Sequence, residues 1–288
     1  MPALLDSVVV GLRAVSFLAV FQAAGCALAL GLYGSDLKVS VRIIRSVGLG
    51  AAVAGIVLTA AHHALVPVRM TGTFDGVFDA ALQMLSLTSD AGTARSVRIL
   101  GLVLVAGSLW NRRAGAGALG IVGATLTAAS FALMGHTAAH EHRWLLAGVL
   151  LVHVLVVVYW YGALVALYAA GRHEPLTTTA ALAERFSRSA TRLVPAILLA
   201  GLAMAVVLMP DLASLGSPYG VLVLTKAVLF AALMGLAALN KWRLAPALRN
   251  GDVAALASLR RSVAAERVLI AVILAATAVM TGLFSPEA

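Results

Sequence analysis

Long apolar segments separated by short polar loops make up almost the whole chain. A helix of roughly 20 predominantly apolar residues crosses a bilayer whose hydrocarbon core is about 30 Å thick. Eight segments approach or exceed this length, and their approximate bounds are 5–32, 41–66, 97–110, 114–134, 144–170, 193–209, 219–240 and 268–284. The pattern predicts an all-α fold, a polytopic membrane helix bundle with eight transmembrane helices.

Lysine and arginine are distributed unequally between the two sides of this predicted bundle. The loops after the odd-numbered segments hold fifteen of them, whereas the opposite side holds only Arg69, Arg95, Arg98 and Arg143. Because cytoplasmic loops carry the excess of basic residues, we expect the fifteen to be cytoplasmic and both termini to lie outside. The fifteen are Lys38, Arg42, Arg45, Arg112, Arg113, Arg172, Arg185, Arg188, Arg192, Lys241, Arg243, Arg249, Arg260, Arg261 and Arg267.

The segments group into two regions. Residues 1–171 are expected to form an N-terminal five-helix membrane region and residues 186–285 a three-helix region, together one membrane domain.

Apolar residues also recur at helical spacing over 72–88, which predicts an amphipathic helix at the outer interface. On the cytoplasmic side, Asp252 can cap a helix that runs through Arg260 and Arg261, where membrane lipid headgroups are the expected partner.

The composition agrees with a membrane protein. Of the 288 residues, 61% are hydrophobic and 11% are charged, whereas soluble domains carry about 25% charged residues. The net charge of +9 comes from short loops rather than one basic face, so nucleic acid is not an expected partner. The single cysteine, Cys26, excludes an internal disulfide framework and a CxxC site. Asp6 interrupts the basic start of a signal peptide, so the first segment is expected to be a retained helix.

Histidines are concentrated on the predicted outer side. His153 lies about 15 Å down the fifth segment, close to the membrane midplane, and His173 alone falls on the cytoplasmic side. An ionisable side chain inside the membrane is costly and usually marks a functional site. The remaining histidines are at the outer ends of the second and fourth segments or in the outer loop: His62, His63, His136, His140 and His142.

Methionines share the level of these histidines. Met134, Met209 and Met280 each lie near the outer end of a predicted helix. Imidazole and thioether together suit copper, and thioether favours Cu(I), whereas a site for a hard cation would need more carboxylates than this side supplies. Each of these residues also has an interpretation without copper. His140 and His142 can be solvated in a loop, the methionines can fill the core, and His153 can be a neutral imidazole hydrogen-bonded to a neighbouring helix.

Several short motifs in the second half of the chain carry a family resemblance. The first is Gly135-His136, then Leu151-Val152-His153, then Trp160-Tyr161-Gly162-Ala163-Leu164. The second is Ser217-Pro218-Tyr219-Gly220 with Lys226, Asn240-Lys241, Arg260-Arg261 and Glu266. Together they resemble the copper resistance protein D (CopD/PcoD) family, whereas the first four helices match it only in hydropathy.

The resemblance implies a protein of the bacterial inner membrane that moves copper ions, Cu(I) or Cu(II), alongside a periplasmic copper-binding protein of the CopC type. The positions that match are His136, His153, Trp160, Tyr219 and Lys226. Apart from the resemblance, the last three residues and Asp211, a candidate partner for Lys226, are expected to gate the site or to support its ligands. The alternatives are that Trp160 and Tyr219 are interface or packing aromatics and that Lys226 snorkels to the lipid headgroups. Tyr161 stands where the family often has a second glycine, and the chain carries no fused periplasmic copper-binding domain.

Two functional classes follow. In the first, the protein is a copper permease or copper-binding membrane protein, with an outer histidine and methionine capture site leading to His153. In the second, it is a b-type cytochrome in which His62 or His63 pairs with His136 or His153 across a haem, whose propionates meet arginine or lysine. The basic candidates are Arg13, Arg98 and Lys226. A structural or regulatory protein with histidines as polar contacts is the third alternative. The sequence contains no nucleotide-binding loop or paired base and nucleophile, which favours a transporter over an enzyme.

Overall fold

The computed structural model describes residues 2–111, 115–135, 140–209, 211 and 213–284, with side chains described from residue 6 onward. The regular structure within these ranges is helical. The helices are α1 Pro2–Tyr33, α2 Ser40–Thr71, α3 Ala80–Thr88, α4 Asp90–Trp110, α5 Ala116–Ala129, α6 Arg143–His173, α7 Leu176–Leu208, α8 Pro218–Leu239, α9 Ala245–Arg249 and α10 Ala254–Leu283. Short 3₁₀ helices lie at Gly34–Asp36, Phe74–Phe78 and Ala213–Gly216, and a π-helical turn, Asn240–Leu244, joins α8 to α9.

Among the described helices, seven are long and apolar enough to cross a membrane: α1, α2, α4, α6, α7, α8 and α10. The predicted all-helical, multi-pass character is therefore confirmed. The fourth predicted segment, 114–134, contains the 14-residue helix α5, which at 1.5 Å per residue is about 21 Å long and shorter than the hydrocarbon core. The count of eight and the position of the termini stay predictions.

Helix α1 occupies the centre of the bundle and packs against α2, α4, α5, α6 and α10. Its crossing with α6 brings the two backbones into contact at Gly25 and Gly162. A Cβ on Gly162 would lie 1.9 Å from the Gly25 carbonyl oxygen, so the approach requires glycine. Small residues allow such close helix contact in membranes. The glycine of the Trp160-Tyr161-Gly162 motif thus has a packing role.

Helices α7 and α8 lie at the periphery and expose wide apolar faces. Leu199 and Val206 on α7 and Val228 on α8 are each more than 60% exposed. Apolar side chains turned away from the bundle are expected where a helix faces lipid acyl chains. The exposed faces of α7 and α8 therefore agree with a membrane location.

The predicted outer helix over 72–88 is divided in two. The 3₁₀ helix Phe74–Phe78 ends before Asp79, and α3 begins after it. The Asp79 carboxylate accepts hydrogen bonds from the backbone N–H groups of Ala81 and Leu82, both at 3.0 Å. Asp79 therefore acts as an N-cap, which explains why the amphipathic pattern does not form one continuous helix.

Two carboxylates organise the opposite end of the bundle. Asp252 accepts a hydrogen bond from the Ala254 backbone N–H at 2.8 Å, and α10 then runs through the basic pair into the last span, which confirms the predicted cap. Glu174, between α6 and α7, accepts from the backbone N–H groups of Lys38 (3.0 Å), Val39 (2.8 Å) and Ser40 (2.8 Å). Burial acts to raise the pKa of Glu174, but these backbone donors outweigh it and lower the pKa. Glu174 thereby ties the start of α2 to the α6–α7 connection.

Candidate functional site

The predicted outer loop is only partly described. His136 lies outside the described residues. His140 and His142 are close together, with ring centroids 5.5 Å apart and the His142 backbone N–H donating to His140 Nδ1 at 3.1 Å. His142 Nε2 also lies 3.4 Å from Glu141 Oε1, and the side chains of both are largely exposed. Two imidazoles in this arrangement are available to a ligand from solution.

His62 and His63, near the C-terminal end of α2, lie in a strongly basic environment. Arg95 Nη1 of α4 is 3.3 Å from His63 Nδ1. His62 is within electrostatic range of four arginines: Arg13, Arg69, Arg95 and Arg98. Among the described residues, the ion pair recorded for this group is the one between Arg69 and Asp6, at 3.2 Å. The end of the N-terminal helices that holds His62 and His63 is therefore electropositive.

Arg98 connects this basic group to Met134. Arg98 is only 6% exposed, and its guanidinium donates from Nε to Ser130 Oγ at 3.0 Å. It lies 4.0 Å from the centre of the Phe131 ring, a cation–π contact. Its Nη2 is 3.9 Å from Met134 Sδ, within reach of a weak hydrogen bond. The predicted ligands His62, His63 and Met134 thus lie around one group of arginines.

His153 lies further along α6, on the side that packs against α7. Its ring packs against Gly201 of α7, where a Cβ would be 3.7 Å from His153 Cε1. Lys226 of α8 is close enough to act on it electrostatically. The Nδ1 atom of His153 is buried and makes no hydrogen bond of normal geometry in the described part of the chain, but the Ile197 backbone of α7 is close enough to interact with the ring, as expected for an imidazole held against a neighbouring helix. A buried polar atom without a partner is costly, so this nitrogen is a candidate ligand atom.

The other predicted residues are dispersed. Met209 follows the last turn of α7, and Met280 is buried on α10. The exposed carboxylate of Asp211 accepts from the Ser214 hydroxyl at 2.7 Å and its N–H at 2.8 Å, and both donors lower the pKa of Asp211. Within the described ranges, no three His, Cys, Asp or Glu side chains are close enough to share a metal ion.

The Ser217-Pro218-Tyr219-Gly220 motif starts α8. Ser217 Oγ accepts from the Gly220 N–H at 3.1 Å, and Pro218 occupies the first turn. A Cβ on Gly220 would lie 2.2 Å from the Ser214 carbonyl oxygen, so glycine is required. Tyr219 is buried beside this cap, 4% exposed. The motif therefore builds the turn between α7 and α8.

A buried carboxylate, Glu266 of α10, was not assigned a role from the sequence. It is 0% exposed and accepts a hydrogen bond from Trp160 Nε1 at 3.2 Å and a short one from Asn240 Nδ2. The group joins α6, the end of α8 and α10. Glu266 is the single acidic residue of α10, and an acid inside an apolar helix is the signal that could have found it. The partners could not be found, because they are far away in the chain.

The fold and these groups define a class: a multi-pass helical membrane protein with histidine and methionine side chains at one end of its N-terminal helices and a further histidine between helices. Comparison with protein families then identifies the family within this class. Residues 180–280 match the family described as copper resistance protein D, and residues 4–144 match the copper resistance protein D-like N-terminal domain. The chain belongs to the copper resistance protein D family.

The resemblance found in the sequence is confirmed by both matches and extends to the first half, where the sequence had offered only hydropathy. The comparisons with curated proteins and with solved structures gave no match. Membership of the family makes this a membrane copper-resistance protein.

Proposed function

We propose that this protein binds copper at its outer end and moves it across the membrane through His153. The observation that carries the proposal is the buried imidazole of His153, whose Nδ1 makes no hydrogen bond of normal geometry among the described residues and has the Ile197 backbone close by. Neutral imidazole is a suitable copper ligand. His153 follows Arg143, the first residue of α6, by ten positions, a depth of about 15 Å. This is close to the middle of the hydrocarbon core.

The outer capture site is proposed to use His62, His63, Met134 and His136, together with the loop histidines His140 and His142. Met209 and Met280 are further thioether candidates from the outer ends of α7 and α10. Four arginines surround His62, and like charges repel a bare cation. Copper therefore has to arrive with anionic ligands or be handed over by another protein. A periplasmic copper-binding protein of the CopC type is the proposed donor.

Lys226 is proposed to control the passage of copper past His153. A charged ammonium close to the imidazole opposes a cation at this level. Deprotonation of Lys226, or a negative group that approaches it, would remove this barrier. Trp160 is assigned a supporting role, because its indole N–H donates to Glu266 rather than reaching His153.

The proposed topology has eight spans in the bacterial inner membrane and both termini outside. It requires α5 and the residues that flank it to complete the fourth crossing. Regions 1–171 and 186–285 would then form one membrane domain, as α1 and α10 pack together.

Copper content of the purified protein tests the proposal. Wild type, His153→Ala and His173→Ala are loaded with Cu(I) in detergent and washed, and bound copper is measured per chain. His173 ends α6 and is exposed, so it is the matched control. We expect His153→Ala to lose bound copper and His173→Ala to retain it. Equal copper in all three would remove His153 from the proposal.

A b-type haem is the second candidate, since Arg13 and Arg98 lie close to His62, as expected if they neutralise propionates. The absorption spectrum of the same preparations separates the two candidates. A Soret band that disappears on His62→Ala or His153→Ala would establish haem and displace the copper proposal.

A further inference from the structure

A cavity of about 320 Å³ opens between α1, α2 and α4 at the outer end of the bundle. One part of its wall is apolar, with Leu65 and Met70 among its residues. The other part is basic and consists of Arg13, His62, Arg69 and Arg95. Three guanidinium groups on one small cavity make it complementary to an anion rather than to a metal cation.

The protein itself occupies only part of the donor capacity of these arginines. Arg13 Nη1 donates to the Thr281 carbonyl oxygen at 2.6 Å, Arg69 Nη2 to Asp6 Oδ1 at 3.2 Å, and Arg95 Nη1 lies 3.3 Å from His63 Nδ1. These contacts engage one nitrogen of each guanidinium, and each guanidinium carries five N–H donors.

The contacts also hold the side chains in place. Arg95 is only 9% exposed, and Arg13 is anchored to α10. Arg98 is buried behind them and adds a fourth positive charge within range of His62. A set of fixed guanidinium groups loses little side-chain entropy when an anion binds, which favours binding.

We propose that this cavity is a binding site for a phosphate group, held by Arg13, Arg69 and Arg95 with His62 beside it. The planar guanidinium matches two oxygens of a phosphate at once. The source of the phosphate is either the headgroup of an anionic phospholipid or free phosphate. The apolar wall at Leu65 and Met70 fits the first carbons of a lipid and gives the headgroup the better match.

A phosphate at this position has a consequence for any cation nearby. It offsets the positive charge around His62 and His63, so a cation and the anion would each strengthen the binding of the other by the same factor. The anion site itself stands whether or not copper is the cargo, because the cavity and the arginines alone define it.

The test uses the full-length protein in an uncharged maltoside detergent, without added copper. Dissociation constants are measured by calorimetry for inorganic phosphate and, separately, for phosphatidylglycerol. The variants are Arg95→Gln and Arg69→Gln. Arg143→Gln is the control, because Arg143 is an exposed arginine outside the cavity, stacked on Trp144 at 4.7 Å. Arg69 is 44% exposed in its side chain, so Arg69→Gln keeps the test valid even if Arg95→Gln fails to fold.

We expect wild type and Arg143→Gln to bind alike and each cavity variant to bind about tenfold more weakly, as when a charge-assisted hydrogen bond is lost. Binding of phosphatidylglycerol alone identifies the headgroup as the ligand, and binding of both probes identifies the phosphate. If neither probe binds, or if the cavity variants bind as wild type does, the proposal is overturned. Copper plays no part in any of these outcomes, so they do not depend on whether copper is transported.

Discussion

Arg98 and Glu266 show how single charged residues are accommodated between apolar helices. Arg98 lies over the Phe131 ring and donates to Ser130, whereas Glu266 accepts from Trp160 and Asn240. In the sequence, Arg98 lies at the start of the third predicted segment, 97–110, and Glu266 lies two residues before the eighth, 268–284. Their partners were not predicted, because a hydropathy pattern gives no information on which face of one helix meets which face of another.

Two substitutions of Glu266 distinguish the contribution of its hydrogen bonds to stability from the contribution of its charge. In Glu266→Gln the side-chain amide can still accept from the Trp160 indole, and the Asn240 amide can turn so that its oxygen accepts from the introduced amide. We expect Glu266→Gln to stay near wild-type stability, and Glu266→Leu to lose about 1–3 kcal/mol, because it leaves two buried donors unpaired. Thermal unfolding in detergent measures both. A Glu266→Leu variant as stable as Glu266→Gln would contradict this account of the contact.

At the scale of helices, close packing depends on glycines that hydropathy does not distinguish from other small residues. Gly25 and Gly162 meet across α1 and α6, and a similar approach occurs between α4 and α5, where a Cβ on Gly101 would lie 2.8 Å from the Gly123 carbonyl oxygen. The Gly162 position was noticed as part of a motif. Its physical reason became visible only when the partner helix was known.

Gly162→Ala tests the crossing of α1 and α6. The added methyl group would overlap the Gly25 backbone, and overpacking of this kind costs about 1–3 kcal/mol. Gly148 lies on the same helix with nothing within 4 Å of an added Cβ, so Gly148→Ala is the control. We expect a lower unfolding temperature for Gly162→Ala only. If both variants melt with the wild type, the backbones of α1 and α6 are not in contact.

Glu174 makes the stability of the folded protein depend on pH. Since its pKa is lowered in the folded protein, the carboxylate stabilises the fold above its unfolded pKa, and that stability is lost as pH falls through the folded pKa. Glu174→Gln is expected to lose about 1 kcal/mol at neutral pH, as when a capping side chain is removed. The difference from wild type should shrink in acid.

Unfolding temperatures of wild type and Glu174→Gln at neutral and acidic pH measure this dependence. Glu141→Gln, at an 80% exposed side chain, serves as the control. A difference between wild type and Glu174→Gln that is constant with pH would show that the Glu174 carboxylate does not cap α2.

At the scale of the whole molecule, the hydropathy pattern was sufficient to predict an all-helical membrane protein. The short motifs in the second half of the chain were sufficient to predict its family. Helix α7 extends beyond its predicted span, because it begins at Leu176 and the predicted segment began at 193, whereas the start of α10 at Ala254 agrees with the cap predicted at Asp252. Polar residues outside the hydrocarbon continue a helix without leaving a hydropathy signal. Arg13 and Arg98 were candidates from the sequence, but their grouping with Arg69 and Arg95 around His62 was not predicted, because these residues come from three helices.

The proposed topology can be tested with introduced cysteines. Cys26 is the single native cysteine and is buried, so the background labelling by a membrane-impermeant maleimide is low. We expect Asp75→Cys to be labelled in intact spheroplasts, and Asn250→Cys only after the membrane is opened. The reverse pattern would invert the topology, and equal labelling of both in intact cells would exclude the proposed arrangement of loops.

The most direct measurement of the central claim is copper uptake by proteoliposomes that contain the purified protein. Wild type, His153→Ala and His173→Ala are reconstituted at equal density, and copper inside the vesicles is followed with time. We predict uptake by wild type and His173→Ala, and uptake lower by about tenfold or more in His153→Ala, as expected when a ligand on the path is lost. Uptake by His153→Ala at the wild-type rate would contradict a path through His153, and no uptake by any of the three would contradict transport itself.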